Sequence, residues 1–288
     1  MERGLEIAVA ARSPQAGTIL NNLAVQAFFE LDLRRTAELF AEGRDVAELY
    51  GSGSDARWLR AQQACWAYLL GRWDEGLERL ESFVAECEAG SPHYLESRVL
   101  GCRGEIREAR GDVDGALADY RHALALARMA GDPQALMPEI SSAVLAFETH
   151  GSSDEARALA VELIELAHAY PHETPWTLSF AFVISRTAVE LEPEVREALE
   201  HAPPGPWKEL AFVSLERDFV RAADIWGAGG SPTREAQVRL RAAEELIEAG
   251  LRAEGEEQAL RALEFYRSVA ATHYVERCEA LLREAETA

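Results

Sequence analysis

Between residues 112 and 130, Val113, Ala116, Leu117, Tyr120, Ala123, Leu124 and Ala127 recur at steps of three and four. This is the spacing of one face of an α-helix, so the segment is predicted to be amphipathic, with its apolar stripe against a neighbour. Asp114, Asp119, Arg121 and Arg128 fall off the stripe and are expected to face water. Comparable stripes run along most of the chain, and two kinds of punctuation divide them. In the first, a glycine is followed by polar residues and then, five positions on, by a small residue: Gly71 with Gly76, Gly111 with Ala116, Gly151 with Ala156, each 40 residues apart. One period earlier, Leu31-Asp32 stands where Gly111-Asp112 stands. The second mark falls half a period away as Ser13-Pro14, Gly90-Ser91-Pro92, Gly131-Asp132-Pro133 and Gly230-Ser231-Pro232. Proline just inside a helix and glycine just past its end are the residues expected at short helix connections. Each unit therefore reads as helix A, a tight turn, helix B and a looser turn. In the tight turn, Gly111 is suited to the left-handed conformation that ends helix A, and Asp112 to capping helix B.

The frame divides the chain into three stretches. Residues 1–170 hold the regular 40-residue units, preceded by a lone helix over 1–12 that reads like a helix B without its partner. Residues 171–230 are interrupted by Tyr170-Pro171, Glu192-Pro193-Glu194 and Ala202-Pro203-Pro204-Gly205-Pro206, and are expected to hold degenerate, short helix pairs. Within them, Arg217-Asp218-Phe219 reads as another tight turn with Arg in the glycine place. Residues 231–288 form a last unit, with a turn at Gly250, and a closing helix from about Thr272.

Composition supports an all-α chain, since Ala, Leu, Glu and Arg dominate and are good helix formers. The 29 basic and 50 acidic residues leave a formal charge of −21, a field that repels nucleic acid and anionic membranes. No apolar run reaches the length of a membrane span, so a cytoplasmic protein is expected. Cys65, Cys87, Cys102 and Cys278 show no metal-ligand spacing and are expected to be buried thiols. There is no phosphate-binding glycine loop, nucleophile elbow or His-Glu-x-x-His motif, so neither catalysis nor a cofactor is expected.

The small residues of helix A (Ala24, Ala64, Gly104, Val144) and helix B (Thr36, Gly76, Ala116, Ala156), with the Gly-Asp turn between them, resemble the tetratricopeptide-repeat superfamily. The 40-residue period is longer than that family's usual unit and is similar to the superhelical sensor regions of multidomain bacterial signalling proteins. Arg241 to Gly250 and Ala262 to Val275 are similar to the C-termini of large bacterial regulators carrying such repeats. The resemblance implies a right-handed α-α superhelix, a solenoid of about six to seven hairpins, whose A helices line a concave groove. Carried onto this frame, the groove row is Thr18, Asn21, Asn22, Trp58, Gln62, Tyr68, Arg98, Glu105, Glu108, Ser141 and Ser142. Asn21 and Asn22 would hydrogen-bond an extended peptide's backbone, and Trp58 and Tyr68 would anchor it, although both aromatics equally suit a core.

The expected role is a protein- or peptide-binding scaffold or sensor. The acidic residues around Gly250 (Glu244, Glu245, Glu248, Glu254, Glu256, Glu257) would suit a basic partner, with a solvated turn the simpler reading. A second reading is self-association to a homodimer through the leading helix and the apolar segment from Phe180 to Ile184. A third is an enzyme with a site in 170–230, drawing on His172, Glu173, Arg186, Glu190 and His201.

Overall fold

The computed structural model describes residues 2–151, 153–171 and 191–287. Within them lie fifteen α-helices and no strand: α1 (Glu2–Ala10), α2 (Gln15–Phe29), α3 (Leu33–Leu49), α4 (Gly53–Leu69), α5 (Trp73–Glu88), α6 (Glu96–Ala109), α7 (Val113–Ala130), α8 (Pro133–His150), α9 (Ser153–Ala169), α10 (Glu192–Glu200), α11 (Pro206–Leu215), α12 (Phe219–Gly229), α13 (Pro232–Glu248), α14 (Arg252–Ser268) and α15 (Thr272–Thr287). Each helix from α1 to α9, and again from α10 to α15, packs on the next in the chain. In addition α2, α4, α6 and α8 pack on one another as an inner layer. This is the arrangement of a helical repeat. Among the described residues, no helix is long and apolar enough to cross a membrane.

The tight turns share one hydrogen-bonding pattern. At Gly111, the Asp112 amide donates to the Arg107 carbonyl at 2.9 Å and the Gly111 amide to that of Glu108 at 2.9 Å. This double closure satisfies carbonyls that a helix end otherwise leaves open. It recurs at Leu31 and Arg217, which hold φ of 60° without being glycine. The aspartate that follows caps the next helix: Asp32, Asp112 and Asp218 accept from the amides of Arg35, Gly115 and Arg221 at 2.9, 3.1 and 3.1 Å. The small positions on both helices are buried, where a larger side chain would push the pair apart; a Cβ on Gly104 would lie 3.1 Å from the Tyr120 ring.

The polar side of α7 departs from expectation at one residue. Asp119 does not face water but is buried, clamped by Arg103 at 2.6 Å and Arg107 at 3.0 Å. A short side chain next to the stripe lies under α6, and two arginines from that helix supply the charge that makes its burial tolerable. The four cysteines are all free and buried.

The C-terminal helices turn back onto the inner layer. Trp207, Ser231, Thr233 and Thr272, each at or near the start of α11, α13 or α15, donate to carbonyls at the ends of α2, α4 and α6. Trp207 Nε1 reaches the Phe28 oxygen at 2.8 Å, Ser231 Oγ that of Leu69 at 3.0 Å, Thr233 Oγ1 that of Tyr68 at 2.7 Å, and Thr272 Oγ1 that of Arg110 at 3.0 Å. These are the carbonyls beside the Leu31, Gly71 and Gly111 turns. The period that spaces those turns also spaces the docking points, so three late helices meet three early ones in register. A continuous apolar core running from Ala61, Val99 and Leu100 to Leu240, Tyr266 and Cys278 lies behind the contacts.

Candidate ligand-binding cavity

The return of the C-terminal helices divides the row of inner-layer residues into two environments. Tyr68, Glu105, Glu108, Ser141 and Ser142 lie where α4, α6 and α8 meet α13 and α15. Tyr68 is fully buried; its hydroxyl donates to Glu105 and accepts from Gln237 Nε2 at 3.4 Å. Glu105 also receives Ser142 Oγ at 2.9 Å and Arg234 at 2.9 Å. Glu108 accepts from the Tyr120 hydroxyl at 2.9 Å and sits 3.0 Å from His150 Nε2. Ser141 bonds back to the Met137 carbonyl at 3.1 Å. The space left among these groups is about 100 Å³, room for a few waters. This region joins the two halves of the molecule, and Tyr68 has no surface left for a ligand.

The other environment is open. Asn21, Trp58, Gln62 and Arg98 line a cavity of about 530 Å³ between α2, α4, α6 and α8. Its walls are mainly apolar: Phe28 and Phe29 from α2, Phe40 from α3, Trp66 and Leu69 from α4, and Pro138 from α8. Trp58 stacks on Tyr94 with centroids 5.6 Å apart and planes 12° from parallel, and its Nε1 donates to Asn21 Oδ1 at 3.1 Å. Tyr94 in turn donates to Asp132 Oδ2 at 2.6 Å, and Asp132 caps α8 through the Gln134 amide. The aromatic wall is thus held by hydrogen bonds at both ends. Asn22, the neighbour of Asn21, points to solvent and lines no part of the cavity. Thr18 lies outside as well, donating to Asp55 Oδ2 at 3.3 Å.

The sequence reading did not single out Glu139, on α8. Its side chain is 1% exposed, and neither carboxyl oxygen has a hydrogen-bond partner. The nearest cation is Arg98, 3.7 Å away and beyond hydrogen-bond reach. Burial pushes the Glu139 carboxyl up to about 7, which Arg98 only partly offsets and Glu105 reinforces. Glu105, also buried, goes the other way. Burial would raise it, but Arg234, Arg98 and the Tyr68 hydroxyl together hold it below the ordinary carboxylate range. A carboxyl left without hydrogen bonds at the edge of an aromatic-walled space is the combination expected of a ligand site. Pro138, preceding it, lacks the amide that would continue the helix ladder to Gln134. A Glu inside a helical stripe has no distinguishing mark in sequence, and Pro138 was the one signal that this turn of α8 is unusual.

Among the described residues no group of three or more His, Cys, Asp or Glu side chains is placed to hold a metal ion. Of the residues named for a site in 170–230, His201 bonds to its own helix through the Glu197 carbonyl at 2.9 Å. His172, Glu173, Arg186, Glu190 and the Phe180 to Ile184 segment lie outside the described residues. Searches against protein families and against curated proteins return no match for this chain.

Proposed function

We propose that this chain is a non-catalytic recognition module of the tetratricopeptide type. In this reading it is a right-handed superhelix whose inner surface takes up an apolar group presented by a peptide or protein segment, as the sensing part of a larger signalling assembly. The observation that carries the reading is the 530 Å³ cavity walled by aromatic side chains from three helices, with Asn21, Gln62, Arg98 and Glu139 at its edge. Its size and mixture of apolar wall and few polar groups suit a buried side chain or a compact ligand. The aromatic residues supply contact area at low entropic cost, as at binding hot spots.

Selection of random peptides on the purified protein tests this. Retained peptides are expected to share one large apolar residue and to lose at least tenfold in affinity on Trp58→Ala, with helix content unchanged by circular dichroism. Retained peptides with no common apolar residue, or affinity indifferent to Trp58→Ala, would sink the reading. Self-association through α1 is the second reading, favoured by Ile7 and Val9, which stay 63% and 41% exposed on that helix. A concentration-independent monomer mass in light scattering counts against it.

A further inference from the structure

We infer that the cavity is built to take a carboxamide head, R–CO–NH₂, carried on an apolar body, with its oxygen accepting from Arg98 and its nitrogen donating to Glu139. The inference rests on the binding reading above and names the chemistry of its ligand.

Three observations lead to it. Glu139 keeps both oxygens unbonded while almost wholly buried, and such a group costs free energy until a donor reaches it. The guanidinium of Arg98 borders the same space, and the 3.7 Å between the two is too long for a direct hydrogen bond. From standard bond lengths, a planar amide offers an acceptor and a donor about 2.2 Å apart, which fits a cation and a carboxylate set side by side at this spacing. The remaining volume is apolar and aromatic, so the head must carry an apolar body.

The charges decide among head groups. Above pH 7, where Glu139 is ionised, a carboxylate would satisfy Arg98 but set a second acceptor against Glu139. An ammonium would satisfy Glu139 but face the Arg98 cation. A neutral amide serves both without adding charge to a low-dielectric site. Gly101 holds the arrangement from behind: a Cβ there would lie 2.1 Å from Glu139 Oε2, so the carboxyl occupies the place a side chain would need.

Two sources share this chemistry, the side chain of Gln or Asn in a peptide and a free small-molecule amide. Calorimetry on the full chain at about pH 8.5, where the Glu139 carboxyl is ionised, separates them. One arm compares 1-naphthaleneacetamide with 1-naphthaleneacetate, 2-(1-naphthyl)ethylamine and 1-ethylnaphthalene; the other compares acetyl-Phe-Gln with acetyl-Phe-Glu. In at least one arm the amide is expected to bind tenfold or more tighter than its counterparts. Arg98→Met and Glu139→Leu should each abolish that preference, while Glu139→Gln, which keeps an acceptor oxygen, should retain most of it. If the headless naphthalene binds as well as the amide and Trp58→Ala weakens both, the amide head is overturned and the cavity reading survives. If no probe binds to the folded protein, both fall.

Discussion

Glu105 and Glu139 are both buried glutamates of the inner layer, yet their surroundings push them in opposite directions. Glu105 has Arg234, Tyr68 and Ser142 around it, whereas Glu139 has only its ion pair with Arg98 at 3.7 Å. Cys65 also lies near Arg98, and its hydrogen bond with Cys102 together with burial pushes its thiol up, so it adds no charge at neutral pH. A carboxyl raised from about 4.5 to about 7 stays protonated in the folded chain over a range where the unfolded chain has released its proton. The stability this contributes is complete below pH 4.5 and is lost as pH rises through 7, by up to about 3 kcal/mol. Urea titrations from pH 5 to 7.5 should show it. Glu139→Gln should flatten the decline, and an unchanged slope would mean that Glu139 is ionised throughout. Ala270 is a second residue at odds with its place: it holds φ of 55° and is exposed. Ala270→Gly should stabilise the protein by about 0.5 kcal/mol, the relief of left-handed strain less the added freedom of the unfolded chain. A lower melting temperature would contradict this.

At the scale of helices and turns, the sequence was most readable where chemistry is local. Leu31 and Arg217 occupy glycine places in the repeat and take the left-handed conformation, because register and the following aspartate cap outweigh the cost of a Cβ there. Asp112→Ala and Asp218→Ala should each lower stability by about 1 kcal/mol by freeing the cap amides of Gly115 and Arg221. Denaturation that is indifferent to both would show that the caps contribute nothing. Gly101 was less readable, since nothing in the sequence says what faces it. Gly101→Ala should displace the Glu139 carboxyl and cost more than the helix propensity of alanine returns, giving net destabilisation and a weaker dependence of stability on pH. If the variant is more stable than the parent, the carboxyl has room to move and the cradle is not a constraint.

Over the whole molecule, the docking of α11, α13 and α15 on the ends of α2, α4 and α6 makes the two ends of the repeat support each other. An open solenoid depends on neighbours in sequence, so its terminal units fray independently. Here Thr233 and Trp73, 160 residues apart, share a hydrogen bond of 3.0 Å, and Arg110 donates to the Val269 carbonyl at 3.2 Å. Thr233→Val takes one donor from the Tyr68 carbonyl and leaves Trp73 Nε1 bonded to that carbonyl alone, at a cost of about 1 kcal/mol. Hydrogen exchange should then accelerate in α4 as well as in α13, although the substitution lies in α13. Exchange confined to α13 would mean that the ends do not support each other.

The helical class, the 40-residue frame, the turn positions and their aspartate caps follow from the linear order of residues, because each depends on groups within one or two turns of each other. The inner row came from the resemblance to tetratricopeptide repeats, and of its residues Asn21, Trp58, Gln62 and Arg98 line one cavity. What periodicity does not carry is which inner-layer residues meet a distant helix. Tyr68, Glu105 and Glu108 share the pattern of Trp58 and Arg98, yet they serve the junction of the two halves because α13 and α15 return to cover them. Glu139 draws its character from missing hydrogen bonds and from a glycine on the next inner helix. The raised carboxyl and the cavity beside it arise from packing over long separations in the chain, where burial and charge are set by what else arrives.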